Sequence, residues 1–187
     1  MADSEQTVLK GSLLLAPPMS QDPNFRRTVV LVCEHTEEGS FGLILNRPLE
    51  LHLSEVLEDD DLPPQRLGLG GPVQQNTLHY IHRFGDRFDD AIGVTDGVFW
   101  GGDFDTLKDM LRTGDATEEN VRLYLGYAGW SPGQLDEEIS LDGWIVTPAR
   151  TDFVFDPEPE RLWRTVLRSM GGDYAAVANF PDDPRLN

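Results

Sequence analysis

Two short apolar runs constrain this chain more than any other feature: Thr28-Val29-Val30-Leu31-Val32-Cys33 and Gly42-Leu43-Ile44-Leu45-Asn46. The first is β-branched and continuous, which suits a strand covered on both faces, and the second reads the same way. Between them, Glu34-His35-Thr36-Glu37-Glu38-Gly39-Ser40-Phe41 is polar with a central glycine, so a hairpin is the economical connection. Cys33 and His35 are then expected on the same side of their strand, two residues apart. Upstream, Leu9 to Ala16 reads as extended and stops at Pro17-Pro18, while Asp22-Pro23 resembles a cap opening a short turn of helix.

Further along, weak helical character over Leu53–Leu57 runs into the acidic stretch Glu58-Asp59-Asp60-Asp61, which opposes the helix dipole and should fray the end. Gly68-Leu69-Gly70-Gly71-Pro72 reads as a turn before a strand at Leu78–His82. Arg83 to Asp90 reads as a charged loop and Val98–Trp100 as a short strand. Asp103 can cap a helix bearing Phe104, Leu107 and Leu111 on one face, closed by Gly114. Val121, Leu123 and Leu125 alternate with polar neighbours as a half-buried strand, and Trp144-Ile145-Val146 forms another. Trp163, Val166, Leu167 and Met170 mark an amphipathic helix stopped by Gly171-Gly172. Strands outnumber helices and fall in neighbouring pairs, so a mixed α+β domain is favoured over a doubly wound sheet.

The length of 187 residues suits one domain with a sizeable core. The net charge is −18, split evenly as −9 over residues 1–100 and −9 over 101–187. Such a surface works against nucleic-acid binding and against anionic membranes. Acids occupy the start where a signal peptide would be basic, and Leu13-Leu14-Leu15-Ala16 is too short to span a bilayer. The single cysteine, Cys33, can form no intramolecular disulfide, which fits a reducing compartment. A soluble cytoplasmic protein is the expectation.

The motif Gly129-Trp130-Ser131-Pro132-Gly133 matches G-x-S-x-G, but His35, His52, His79 and His82 all precede Ser131, whereas that hydrolase elbow places its histidine after the serine. Ser131-Pro132-Gly133-Gln134 reads instead as a capping box with proline at the first helical position. Cys33 with His35 is too small a ligand set for zinc, so neither metal nor cofactor is expected. Gly68-Leu69-Gly70-Gly71 lacks the third glycine of a dinucleotide loop, and no P-loop occurs. Arg161, Arg164 and Arg168 form the one basic stripe, and positive residues toward a helix C-terminus have a structural explanation. No helix-turn-helix with a basic recognition helix is found.

Five ordered blocks resemble a known family: Leu14-Leu15-Ala16-Pro17 with Asp22-Pro23-Asn24-Phe25; Cys33-Glu34-His35 with Gly42-Leu43-Ile44-Leu45-Asn46-Arg47-Pro48; Gly70-Gly71-Pro72-Val73; Leu125-Gly126-Tyr127-Ala128-Gly129-Trp130; and Gln134-Leu135 with Glu138. This pattern is similar to the AlgH, or YqgE, family of bacterial proteins, over about residues 9–172 of a single domain with short tails. The resemblance implies an α+β fold with a bifurcated, largely antiparallel sheet, a small barrel-like core and surrounding helices. It also implies a cytosolic protein without an established activity, although many members carry the label of transcriptional regulator.

The leading expectation is a non-enzymatic domain that binds a small molecule or a protein partner. Glu34, His35, Asn46 and Arg47 sit at the ends of the two buried strands, where polar groups can converge. Gly70, Gly71, Trp130, Gln134 and Glu138 would line the same cleft if the two blocks meet. The enzymatic alternative uses Glu34 with His35, or Glu138, as acid and base. The DNA-binding alternative uses the arginine stripe, against the net charge. With 20 Asp and only 2 Lys, the composition also points to adaptation to a salt-rich interior. The unfolding midpoint is therefore expected to rise between dilute buffer and concentrated KCl, and a flat response would discard that adaptation.

Overall fold

The central hairpin forms where the two apolar runs place it. In a computed structural model, which describes residues 7–180, β2 (Val29–Thr36) and β3 (Gly39–Ile44) pair antiparallel, with Thr36 opposite Gly39 across a two-residue turn. The acidic start and the tail from 181 to 187 lie outside the described residues. β1 (Ser12–Leu15) pairs with β2, and β10 (Ile145–Pro148) with β1, both antiparallel. Alternate residues then face opposite ways. Leu13, Leu15, Val29, Leu31 and Cys33 meet Trp163, Val166 and Leu167 of α5 (Leu162–Met170). Leu14, Val30, Val32 and Ile44 meet Leu135 and Ile139 of α3 (Gln134–Ser140), together with Trp130 and Trp144. Full burial of one such aliphatic side chain is worth about 1.5–3 kcal/mol. A hairpin apolar on both sides is therefore stable only between two covering layers.

The sheet divides along β9 (Val121–Trp130). Its first half, Leu123–Leu125, lies parallel to β5 (Arg66–Leu69) and antiparallel to β6 (Val73–His82). Its last residues, Ala128–Trp130, pair instead with β3. β4 (Pro48–His52) extends β5, while β8 (Val98–Trp100) and β7 (Ile92–Thr95) extend β6. This second branch covers a core of Leu53, Leu67, Leu107, Leu111 and Val121, closed by α1 (Leu53–Leu57) and α2 (Phe104–Thr113). α4 (Thr151–Val154) and α6 (Gly172–Val177) complete the α+β fold, whose curled sheet is antiparallel except for the β5–β9 pair.

Three glycines make the fork possible. Gly70 donates its N–H to the Leu125 carbonyl and accepts from the Ile44 N–H, both at 2.8 Å, so it ties the two branches together. A Cβ on Gly70 would lie 2.3 Å from the Gly126 carbonyl oxygen, and one on Gly71 2.1 Å from the Tyr127 carbonyl carbon. Gly126, at φ +68°, turns β9 from one branch to the other.

Several expectations need correction. Gly68 and Leu69 belong to strand β5, because the edge of β9 supplies a partner that no local pattern announces. Asp22-Pro23 opens a hydrogen-bonded turn with no helix assigned: the Asp22 side chain accepts from the Asn24 N–H and its carbonyl from Phe25 and Arg26. Cys33 and His35 do not share a face. A bulge between Val32 and Glu34 reverses the alternation, so Cys33 stays in the α5-side core while His35 pairs with Ser40 on the α3 side. By contrast, Asp103 caps α2 through the Thr106 N–H at 3.0 Å, and Gly114 ends it in the left-handed region, as expected.

Because backbone blocks any side chain at the fork, Gly70→Ala is expected to destabilise the protein by about 1–3 kcal/mol or more in chemical denaturation. Gly93→Ala, whose Cβ would meet only Phe99 at an ordinary 3.8 Å, is the matched control and should change little.

Candidate functional site

The end of β9 leads directly into a polar network. Trp130, the last residue of the strand, points to the α3 side. After it, the Gln134 side-chain oxygen accepts from the Ser131 N–H at 3.0 Å, and the Gln134 N–H donates to the Ser131 carbonyl. Half of the expected capping box is thus present. Gly133 at φ +73° is the residue that precedes the helix, so α3 begins at Gln134 and Pro132 is not its first residue. One turn later stands Glu138. Its Oε2 accepts from the Trp130 and Trp144 indole N–H groups at 2.9 and 2.8 Å, and its Oε1 from the Gln134 amide at 2.9 Å. Two indole donors on one carboxylate oxygen fix that side chain firmly.

The facing wall comes from residues 16–25. Phe25 stands edge-on to Trp144, with ring centroids 5.4 Å apart at 81°, and roughly parallel to Trp130 at 6.3 Å. Trp144 is also nearly perpendicular to Trp130 (77°). Together with Ser20, Asp22, Glu138 and Leu141, these rings line an open cleft of about 430 Å³. No lining residue is basic, and among the described residues neither Asp22 nor Glu138 forms an ion pair. Aromatic surface, two carboxylates and no internal cation make this a strongly polarised site.

The nine residues anticipated from the sequence separate into several groups. Trp130, Gln134 and Glu138 meet at the cleft. Asn46 and Arg47 stand behind it and support its wall. The Asn46 amide accepts from the Val29 N–H and donates to the Arg27 carbonyl, both at 2.8 Å, and the Arg47 guanidinium donates to the Arg26 and Pro23 carbonyls. Both side chains clamp the turn that carries Asp22 and Phe25. His35 bonds Ser40 through Nδ1 at 2.8 Å and faces Asp136 of α3 at 3.6 Å, outside the cleft lining. Glu34 is exposed and pairs across the hairpin with Phe41, on the sheet face opposite Glu138; Phe41 there packs on Trp100 and Tyr127. Gly70 and Gly71 serve the fork. The sequence reading missed Asp22, Phe25, Trp144 and Leu141 as cleft residues. A clue was available for two of them, since Asp22 and Phe25 lie within the first of the five resembling blocks.

The other candidate chemistries are placed elsewhere. Burial pushes the Cys33 thiol well above its ordinary pKa, which leaves little reactive thiolate. Arg161 pairs with Glu158, Arg164 donates to the Ala178 carbonyl and Arg168 to the Asn179 side chain, so the basic stripe bonds its own surroundings. Among the described residues no group of three or more His, Cys, Asp and Glu could hold a metal, and no helix is long and apolar enough to cross a membrane.

A family model described as AlgH-like (DUF179) matches residues 13–175, all five blocks included. The chain belongs to the AlgH-like family. A UPF0301 protein of Chlorobaculum tepidum is 46% identical over 185 residues, covering 98% of this chain and 99% of its own. One from Cytophaga hutchinsonii is 42% identical over 180 residues, covering 95% and 98%. Among solved structures, a Corynebacterium diphtheriae protein superposes with a TM-score of 0.78 at 26% identity over 94% of each chain. The AlgH protein of Pseudomonas aeruginosa, solved in solution, gives 0.71 at 35% identity over 97% of this chain and 99% of its own. AlgH-like membership thus fixes the fold, while the function of the family is uncharacterised.

Removing the carboxylate should expose the cost of its network. Glu138→Ala strands two indole N–H groups on tryptophans that are each only 6% exposed, and is expected to cost about 1–3 kcal/mol in chemical denaturation. Glu137→Ala, one residue earlier on the exposed side of α3, should be close to neutral.

Proposed function

We propose that this AlgH-like protein is a non-catalytic binding domain whose recognition site is the cleft between α3 and residues 16–25. The observation that carries this reading is the Glu138 carboxylate, fixed by Trp130, Trp144 and Gln134 at an open cleft yet without an ionic partner of its own among the described residues. A preorganised polar group among aromatic walls is the usual make-up of a ligand site. Binding is favoured over acid–base catalysis because the His35 imidazole is engaged with Ser40 and Asp136 while Glu138 stands in the cleft with no histidine lining it. Direct DNA binding is disfavoured by the net charge and by the engaged arginines.

A thermal-shift screen of metabolites and short peptides tests this. At least one compound is expected to raise the unfolding midpoint of the parent protein and to lose most of that effect with Leu141→Ser and with Asp22→Asn. Both sites are exposed, so the fold should persist. Glu34→Ala, on the opposite sheet face, should keep the full shift. Stabilising compounds indifferent to both cleft variants would place recognition elsewhere and overturn the reading.

A further inference from the structure

The cleft has a chemistry that selects its occupant. Its two titratable groups are the carboxylates of Asp22 and Glu138, no basic side chain lines it, and the whole chain carries −18. A cation gains from the faces of tryptophan rings as well as from carboxylates. Phe25, Trp130 and Trp144 all contribute to the lining, with Trp144 at 77° and 81° to Trp130 and Phe25. Glu138 has three donors for about four acceptor positions, which leaves room for one further N–H.

The rim supplies a second, independent observation. Leu141, which lines the cleft, is 75% exposed. Covering an apolar side chain this exposed is favourable, and the surface of another protein can do so. A small cation in the cleft would leave Leu141 in water.

Resting on the binding reading above, we infer that the cleft receives a lysine or arginine side chain from an exposed basic segment of another protein, with an apolar neighbour of that residue seated against Leu141. The cation occupies the space between Asp22, Glu138 and the three rings. The general negative charge of the chain speeds encounter, so binding weakens as salt rises.

The test follows the indole N–H signals of Trp130 and Trp144 by NMR during titration with an acetylated, amidated Ala-Leu-Arg-Leu-Ala peptide, its Ala-Leu-Gln-Leu-Ala counterpart, and agmatine as a free guanidinium. The arginine peptide is expected to shift both signals saturably, and the glutamine peptide to leave them in place. Asp22→Asn should weaken the arginine peptide several-fold. Leu141→Ser should weaken the peptide but not agmatine. These two exposed positions keep the test independent of the folding cost at Glu138. Equal binding of the two peptides, or no response to either, overturns the inference. Agmatine binding as tightly as the arginine peptide also overturns it, while leaving the cleft as a binding site. Failure of the cleft itself is distinct: stabilising compounds from the screen would then ignore Asp22→Asn and Leu141→Ser altogether.

Discussion

The architecture depends on one close approach of backbone to backbone, where Gly70 and Gly71 cross the Gly126–Ala128 stretch of β9. Carbonyl and amide groups there come nearer than any Cβ permits, and Gly70 bonds both β9 and the end of β3. That contact lets a single ten-residue strand serve two branches of the sheet. Without it, β9 could not pair with β5 and β6 at one end and β3 at the other. The position of Trp130 would then be undefined, since that residue is simply where the β3-paired end of β9 stops.

From this follows the construction of the cleft. Trp130 arrives from β9, Glu138 from α3, Trp144 from the residue before β10, and Phe25 from a turn clamped by Asn46 and Arg47. Four parts of the chain supply one small site, and the Glu138 carboxylate joins three of its side chains by hydrogen bonds. The same carboxylate both fastens α3 to the sheet and presents negative charge to the opening. Under the proposed binding function, structural and recognition roles coincide at Glu138 and separate at the exposed Asp22 and Leu141.

The sequence made much of the local structure legible. Continuous apolar runs predicted strands buried on both faces, and β2 and β3 are sandwiched between α3 and α5. Asp103 and Gly114 bounded α2 correctly because capping is a short-range interaction. The errors arose where a distant partner overrode local pattern. Gly68-Leu69 is a strand only because β9 lies beside it, and the bulge after Val32 moved His35 away from Cys33. Of the anticipated site residues, Trp130, Gln134 and Glu138 are close in sequence and share one cleft. Asn46 and Arg47 act from behind it through backbone contacts, which residue type alone does not reveal.

By itself, the sequence determined the family, the α+β class, the buried hairpin and a net charge of −18. These rest on composition, periodicity and short motifs, all of which are local properties. Only the tertiary structure decided which polar residues meet. Aromatic rings from residues 25, 130 and 144 surround a carboxylate at 138 because two branches of sheet and a clamped turn converge there, and such convergence depends on long-range packing that no single segment encodes.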